Sequence, residues 1–144
     1  MSLWKLRAVT TEDLPFILSS WPKSYRKHLP VQGVPDTVFY DKFHKLVSHL
    51  IENPTALIII ACDPEDDSTI FGYAVSEFDQ AIVNPPLIFH WIYVKHSVRN
   101  FGIGRALEAK LKTIEHSGLI NSTRSALASS EYVYDPFTLW KFIK

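Results

Sequence analysis

The stretch that most constrains this chain runs from Leu87 to Leu107. An apolar run, Leu87 to Val94, reads as a buried strand; a short polar turn follows, and Arg99-Asn100-Phe101-Gly102-Ile103-Gly104 opens an amphipathic helix. Glycines at 102 and 104 carry no Cβ, so the backbone can bend sharply there and a ligand can approach closely. The free N–H groups of the helix's first turn point outward, and the helix dipole favours negative charge beside them. A strand, a glycine turn and a helix in this order predict an α/β unit with an anion cradle. Two other glycine motifs fit less well. A P-loop needs Gly-Lys-Ser/Thr, which is absent, and a Rossmann fingerprint needs a third glycine where this chain has Leu107.

Bulk properties narrow the class. At 144 residues the chain suits one domain, expected over 1–144, and 47% hydrophobic with 21% charged residues is a globular composition. Formal net charge is zero, which argues against a nucleic-acid partner. No apolar run reaches the length of a membrane span, and Met1 to Arg7 lacks a signal-peptide core. The single cysteine, Cys62, excludes an internal disulfide. These features together lead us to expect a soluble cytoplasmic protein.

The remaining elements follow from periodicity. Trp4 to Val9 alternates as a half-buried strand, and Thr10 with Asp13 reads as a helix start. Pro22, Pro30, Gly33 and Pro35 predict a loop or broken helix over 20–35. Phe39, Phe43, Leu46, Val47, Leu50 and Ile51 predict a helix from Asp36 to Glu52, which Asn53-Pro54 stops. Thr55 to Cys62 reads as a buried central strand, Asp63 to Asp67 as a solvated acidic turn, and Thr69 to Phe78 as the strand that pairs back. The glycine-turn helix is expected over 102–117, a short strand over 123–129, and a last helix over Phe137 to Phe142. The order is β-α-α-β-β-β-α-β-α.

The 99–107 segment, Arg-x-x-Gly-x-Gly after a strand ending in Val94, resembles the acetyl-CoA-binding motif of the Gcn5-related N-acetyltransferase (GNAT) superfamily. The resemblance extends to the order of elements over most of the chain. It implies a mixed α/β fold, with a central, mostly antiparallel sheet flanked by helices. It implies acetyl-CoA as co-substrate, held by backbone groups of Ile92 and Val94, by the turn and helix start at Asn100, Phe101, Gly102, Ile103, Gly104 and Arg105, and by Arg99. Arg105 and Lys95 read equally well as phosphate contacts or as solvated charges. Many members carry a further hairpin after the last helix, whereas this chain stops at Lys144, so the far wall of the acceptor site is expected to be short or supplied by a second subunit.

Acetyl transfer to an amine requires a base, because a lysine-like amine is almost wholly protonated at neutral pH. His90, inside an apolar strand, is a candidate base or a core histidine; Glu77 on the preceding strand is the alternative. Tyr134 and Tyr132 are candidate acids for the departing thiolate, since the positions where the family usually places Asn and Tyr hold Asp135 and Phe142. Cys62 lies in a buried-type strand and reads as core rather than as an acyl carrier. The histidines show no metal spacing, and direct transfer needs no metal. Trp21, Tyr25, Arg26 and His28 fall in the region that helps build the acceptor site. The acceptor is either a small-molecule amine or a protein amine. The 13% aromatic content leaves a homodimer in view. A GNAT fold that binds acyl-CoA or a protein partner without turnover is the other reading.

Overall fold

The computed structural model describes residues 3–27, 34–123 and 131–142. The expected strand over 123–129 falls, from 124 onward, outside these residues, as does His28.

The described residues form one six-stranded sheet in the order β1-β2-β3-β4-β5-β6, where β1 is Lys5–Ala8, β2 Ala56–Asp63, β3 Asp66–Glu77, β4 Leu87–Val94, β5 Leu119–Asn121 and β6 Tyr132–Tyr134. The first four strands pair antiparallel; β5 joins β4, and β6 joins β5, in parallel. This is the mixed, mostly antiparallel sheet that the resemblance implies, with one strand more among the described residues than the sequence showed. β5 and β6 are three residues each, too short to leave a periodic signal.

Helices cover both faces. On one side α1 (Leu14–Arg26) and α2 (Asp36–Glu52) pack with the short α4 (Phe137–Trp140) on Ile60, Tyr73, Val75 and Trp91. On the other, α3 (Ile103–Lys112) lays Ile103, Leu107 and Leu111 on Leu87, Phe89 and Ala74. α3 is shorter than expected; a turn of backbone bonds, Thr113 N–H to Lys110 O and Ile114 N–H to Leu111 O, closes it. α2 spans Asp36 to Glu52 as its pattern predicts.

The expectation of a loop or broken helix after residue 20 is corrected: α1 runs through Pro22 to Arg26. Ile17, Trp21 and Tyr25 recur at helical spacing and are all buried. Burying side chains of this size, at about 1.5–3 kcal/mol each, outweighs the roughly 3 kcal/mol that an interior proline costs. A short 3-10 turn, Thr11–Asp13, leads into α1. There the Thr10 N–H donates to Asp13 Oδ2 (2.8 Å), and Arg7 closes a bidentate pair on the same carboxylate at 2.7 Å per bond.

Candidate active site

β4 positions the site. Its pairing with β3 steps from Val75↔Trp91 to Ser76↔Phe89, which leaves His90 as the extra residue of a β-bulge. The bulge exchanges the faces of the strand. Phe89 lies in the α3-side core with Ile92 and Val94, whereas Trp91 and Tyr93 face α1. Strict alternation would put Phe89 and Trp91 on the same face.

β4 and β5 part just beyond the bulge. The parallel pairing ends at Phe89↔Asn121, and the last links are Ser122 N–H to Phe89 O (3.0 Å) and Thr123 Oγ1–H to His90 O (2.7 Å). From Trp91 onward β4 pairs, among the described residues, only with β3. Lys95 N–H donates to Phe71 O on β3. Backbone groups alternate along a strand, so those of Ile92 and Val94 point to the open edge. Arg99 Nε–H caps that edge by donating to Val94 O (3.1 Å).

The turn after β4 forms the cradle. Asn100 and Gly102 both adopt positive φ, 75° and 83°, and Gly102 is the N-cap of α3. Only glycine adopts this left-handed conformation without strain, although Gly102 has no atom within 4 Å of an added Cβ. Ala106 N–H is the first amide to bond back, to Gly102 O (3.0 Å). Among the described residues the N–H groups of 100 to 105 have no acceptor. A run of free amides at a helix N-terminus, bent by left-handed residues, makes a concave anion site. Gly104 lies against the open edge, its Cβ position 3.7 Å from Val94 Cγ2 and 4.0 Å from Ile92 Cγ2. These groups fit a diphosphate and an extended amide-bearing arm. Phe101 is 56% exposed beside them. Lys95 turns away, its ammonium 5.4 Å from the Phe16 ring centre. Arg105 is exposed and lines a shallow groove of about 290 Å³ on α3 with Glu108 and Lys112.

His90 and Glu77 come together, as candidates for one proton-handling unit must. His90 Nε2 is 2.7 Å from Glu77 Oε1, and His90 Nδ1 is 2.6 Å from Ser122 Oγ. Glu77 Oε2 accepts from Lys141 Nζ (3.0 Å) and Thr55 Oγ1 (3.1 Å). A carboxylate only accepts, so Nε2 carries the imidazole proton and Nδ1 accepts from the serine hydroxyl. Burial pushes the His90 pKa down against the pull of Glu77, and the ring is neutral. Burial alone would raise the Glu77 carboxyl, but hydrogen bonds from His90 and Lys141 bring it below its ordinary value. Both side chains are almost fully enclosed, with Phe142 edge-on to the imidazole at 6.2 Å.

The two tyrosines separate. Tyr132 is buried on the α3 side and donates to Glu108, and burial pushes its phenol up. Tyr134 is 43% exposed on β6. Burial pushes Tyr25 up to about 12, and the charge that Tyr134 would carry adds to this, which puts the two hydroxyls in one electrostatic neighbourhood. Trp21 and Tyr25 are core residues of α1 that pack on Trp91, not loop residues. Arg26 is occupied by Val34 O, Asp36 and the Phe39 ring. Cys62 is a fully buried free thiol. No cluster of three or more His, Cys, Asp or Glu able to hold a metal occurs among the described residues, and none of their helices is long and apolar enough to cross a membrane.

Sequence reasoning missed Ser122, Thr123, Thr55 and Lys141. Each reaches the histidine or its glutamate across the sheet from a distant position, and nothing local marks them.

No protein-family model matches the sequence, and no curated protein does. Solved structures do match. A Pyrococcus furiosus protein provisionally named an acetyl transferase superposes with a TM-score of 0.67 at 15% identity, over 96% of this chain and 89% of its own. The PaiA N-acetyltransferase from Thermoplasma acidophilum, in complex with coenzyme A, gives 0.51 at 19% identity, over 80% and 72%. AAC(6')-Iy, in complex with the bisubstrate analogue CoA-S-monomethyl-acetylneamine, gives 0.51 at 19%, over 88% and 83%. The fold of this chain is that of the GNAT acetyltransferases.

Proposed function

We propose that this protein is an N-acetyltransferase that moves an acetyl group from acetyl-CoA directly to a primary amine. The observation that carries this reading is the run of free amides from 100 to 105 beside the open edge of β4 at Ile92 and Val94. Amides 100 to 105 would hold the diphosphate, with Arg99 adding a charge-assisted contact, and the open edge would pair with the amide-bearing arm like an added strand. Like the coenzyme A complexes among its structural neighbours, the chain shares this fold. AAC(6')-Iy carries an acetylated neamine group in its bisubstrate analogue, which makes small-molecule amines the first acceptors to assay; protein amines come second.

The acceptor nitrogen must lose a proton as its lone pair forms the new N–C bond. His90 backed by Glu77 is the base in this reading, and Tyr134, exposed at the end of β6, is the acid for the thiolate. No residue of this scheme calls for a metal. The exposed Phe137, Trp140 and Val133 around β6 and α4 are where a second subunit would sit if the protein dimerises.

Calorimetric titration with acetyl-CoA, with ATP and NAD as controls, tests the cofactor assignment. Saturable binding of acetyl-CoA alone is expected, and Gly104→Trp should abolish it by filling the space beside Val94 and Ile92. Unchanged binding in that variant would sink the assignment. The enclosure of His90, with both ring nitrogens engaged, favours one second reading: a module that binds acyl-CoA without turnover. Stoichiometric binding with no CoA released across a broad amine panel would establish it.

A further inference from the structure

The open edge of β4 is closed at both ends by a side-chain donor. At its inner end Thr123 Oγ1–H donates to His90 O (2.7 Å), and at its outer end Arg99 Nε–H donates to Val94 O (3.1 Å). Beyond the bulge the even-numbered residues turn their backbone groups away from β3, so the carbonyls of His90, Ile92 and Val94 lie in one row. Between the two stops, Ile92 N–H, Ile92 O and Val94 N–H have no partner among the described residues. One residue before Thr123, a backbone amide still joins the strands, from Ser122 N–H to Phe89 O (3.0 Å). At Thr123 a hydroxyl takes that place. Paired backbones lie about 4.8 Å apart, and a bond made through a side chain holds its strand further off, so the ladder ends here. Thr123 is 2% exposed and His90 1%, so water does not compete for the carbonyl.

We propose that Thr123 is a register stop: by occupying His90 O it fixes how far the amide-bearing arm of acetyl-CoA slides along β4, and so where the thioester comes to rest. This deepens the acetyl-transfer reading above and rests on it. An arm paired like an added strand meets equivalent partners every second residue, about 6.6 Å apart. With His90 O held by Thr123 and Val94 O by Arg99, Ile92 is left as the one residue of the row with its carbonyl free, and the arm has a single register. With His90 O released, a second register opens one step deeper. That step is several times the misplacement of about 1 Å that already costs on the order of 100-fold in rate. Thr123 acts through a backbone carbonyl and touches neither the arm nor the amine, so it is a positioning residue. Its enclosure suits this role, because a hydroxyl open to solvent would trade His90 O for water. Ser122 steadies the same corner from the imidazole, bonded to His90 Nδ1 at 2.6 Å.

Two measurements test this. In carbonyl ¹³C NMR of the wild-type protein, saturating coenzyme A should shift Ile92 and leave His90 in place, with the Thr123 hydroxyl proton still in slow exchange. A His90 carbonyl that shifts as far as that of Ile92, or a Thr123 hydroxyl that is released, would overturn the stop. In turnover, Thr123→Val keeps the shape and removes the hydroxyl. It should lower kcat about 10- to 100-fold, with KM for acetyl-CoA and the calorimetric affinity for coenzyme A within threefold of wild type. Thr123→Ser, which restores the donor, should recover most of the rate. If Thr123→Val keeps kcat within threefold, or loses affinity and rate together, the stop is wrong while the acetyltransferase reading stands. If that variant does not fold, the wild-type carbonyl shifts decide alone. If the wild-type protein binds no coenzyme A, the acetyltransferase reading falls and the stop with it.

Discussion

Gly102 and Gly104 lie two positions apart in one motif, yet the structure assigns their replacements opposite effects on stability. Gly102 is held at φ 83°, ψ 11°, and an added Cβ would meet nothing within 4 Å. The cost of Gly102→Ala is therefore local backbone strain, about 1–2 kcal/mol. Gly104 sits in the first turn of α3 with ordinary helical φ, and an alanine Cβ would rest 3.7 Å from Val94 Cγ2, in normal van der Waals contact. Gly104→Ala should gain about 0.5–1 kcal/mol from the restricted unfolded chain. The two variants should differ by roughly 1.5–3 kcal/mol. In a domain of this size that separates their melting temperatures by roughly 3 to 12 °C, with Gly102→Ala the lower. Thermal unfolding followed by circular dichroism reads this directly. Equal melting temperatures, or a more stable Gly102→Ala, would refute the left-handed assignment on which the cradle geometry depends.

Other outcomes follow from the same contacts. Asp13→Ala should destabilise the fold by about 2–4 kcal/mol in urea unfolding, because it strips the bidentate partner from a largely buried Arg7 and the cap from Thr10. Arg99→Ala should weaken acetyl-CoA binding about 10- to 100-fold by calorimetry, with a smaller dependence on salt than the wild type shows. Stability should also fall in mild acid. His90 has a folded pKa below its ordinary 6.5, so the unfolded chain binds the extra proton first; its contribution is complete above about pH 6.5 and is lost as pH falls toward the folded value. In His90→Gln that part of the melting-temperature decline should vanish, leaving the decline at lower pH from Glu77 and Asp13, whose carboxyls are held below their ordinary values.

Much of the frame is legible in the sequence because long elements bury many residues in phase. α2 shows five buried residues on one stripe, and β4 is continuous apolar chain, so both carry clear boundaries. α1 was legible in principle: Ile17, Trp21 and Tyr25 keep helical spacing across Pro22, and the proline outweighs them only when local propensity is read alone. The cradle is legible because left-handed turns demand glycine. The proton-handling groups are not. His90 stands out as a polar residue in an apolar strand, but its partners come from β3, from the end of β5 and from beyond α4, and pairing register rather than composition brings them within 3 Å. The bulge itself is silent in the sequence, since Phe89, Trp91 and Ile92 around His90 have the same apolar character whichever side each takes.

That one extra residue makes β4 two half-strands spliced out of phase. Before it, odd-numbered side chains belong to the α3 layer; after it, even-numbered ones do. Deleting His90 would leave every other side chain on its present face, but pairing the strand flat with all its residues kept would turn the Trp91 indole into the layer that now holds Ile92, and the whole distal half of the strand would change owners. The proximal half, where β5 pairs, would keep its assignment. The strand thus separates the half that pairs with β5 from the half that, among the described residues, pairs with β3 alone.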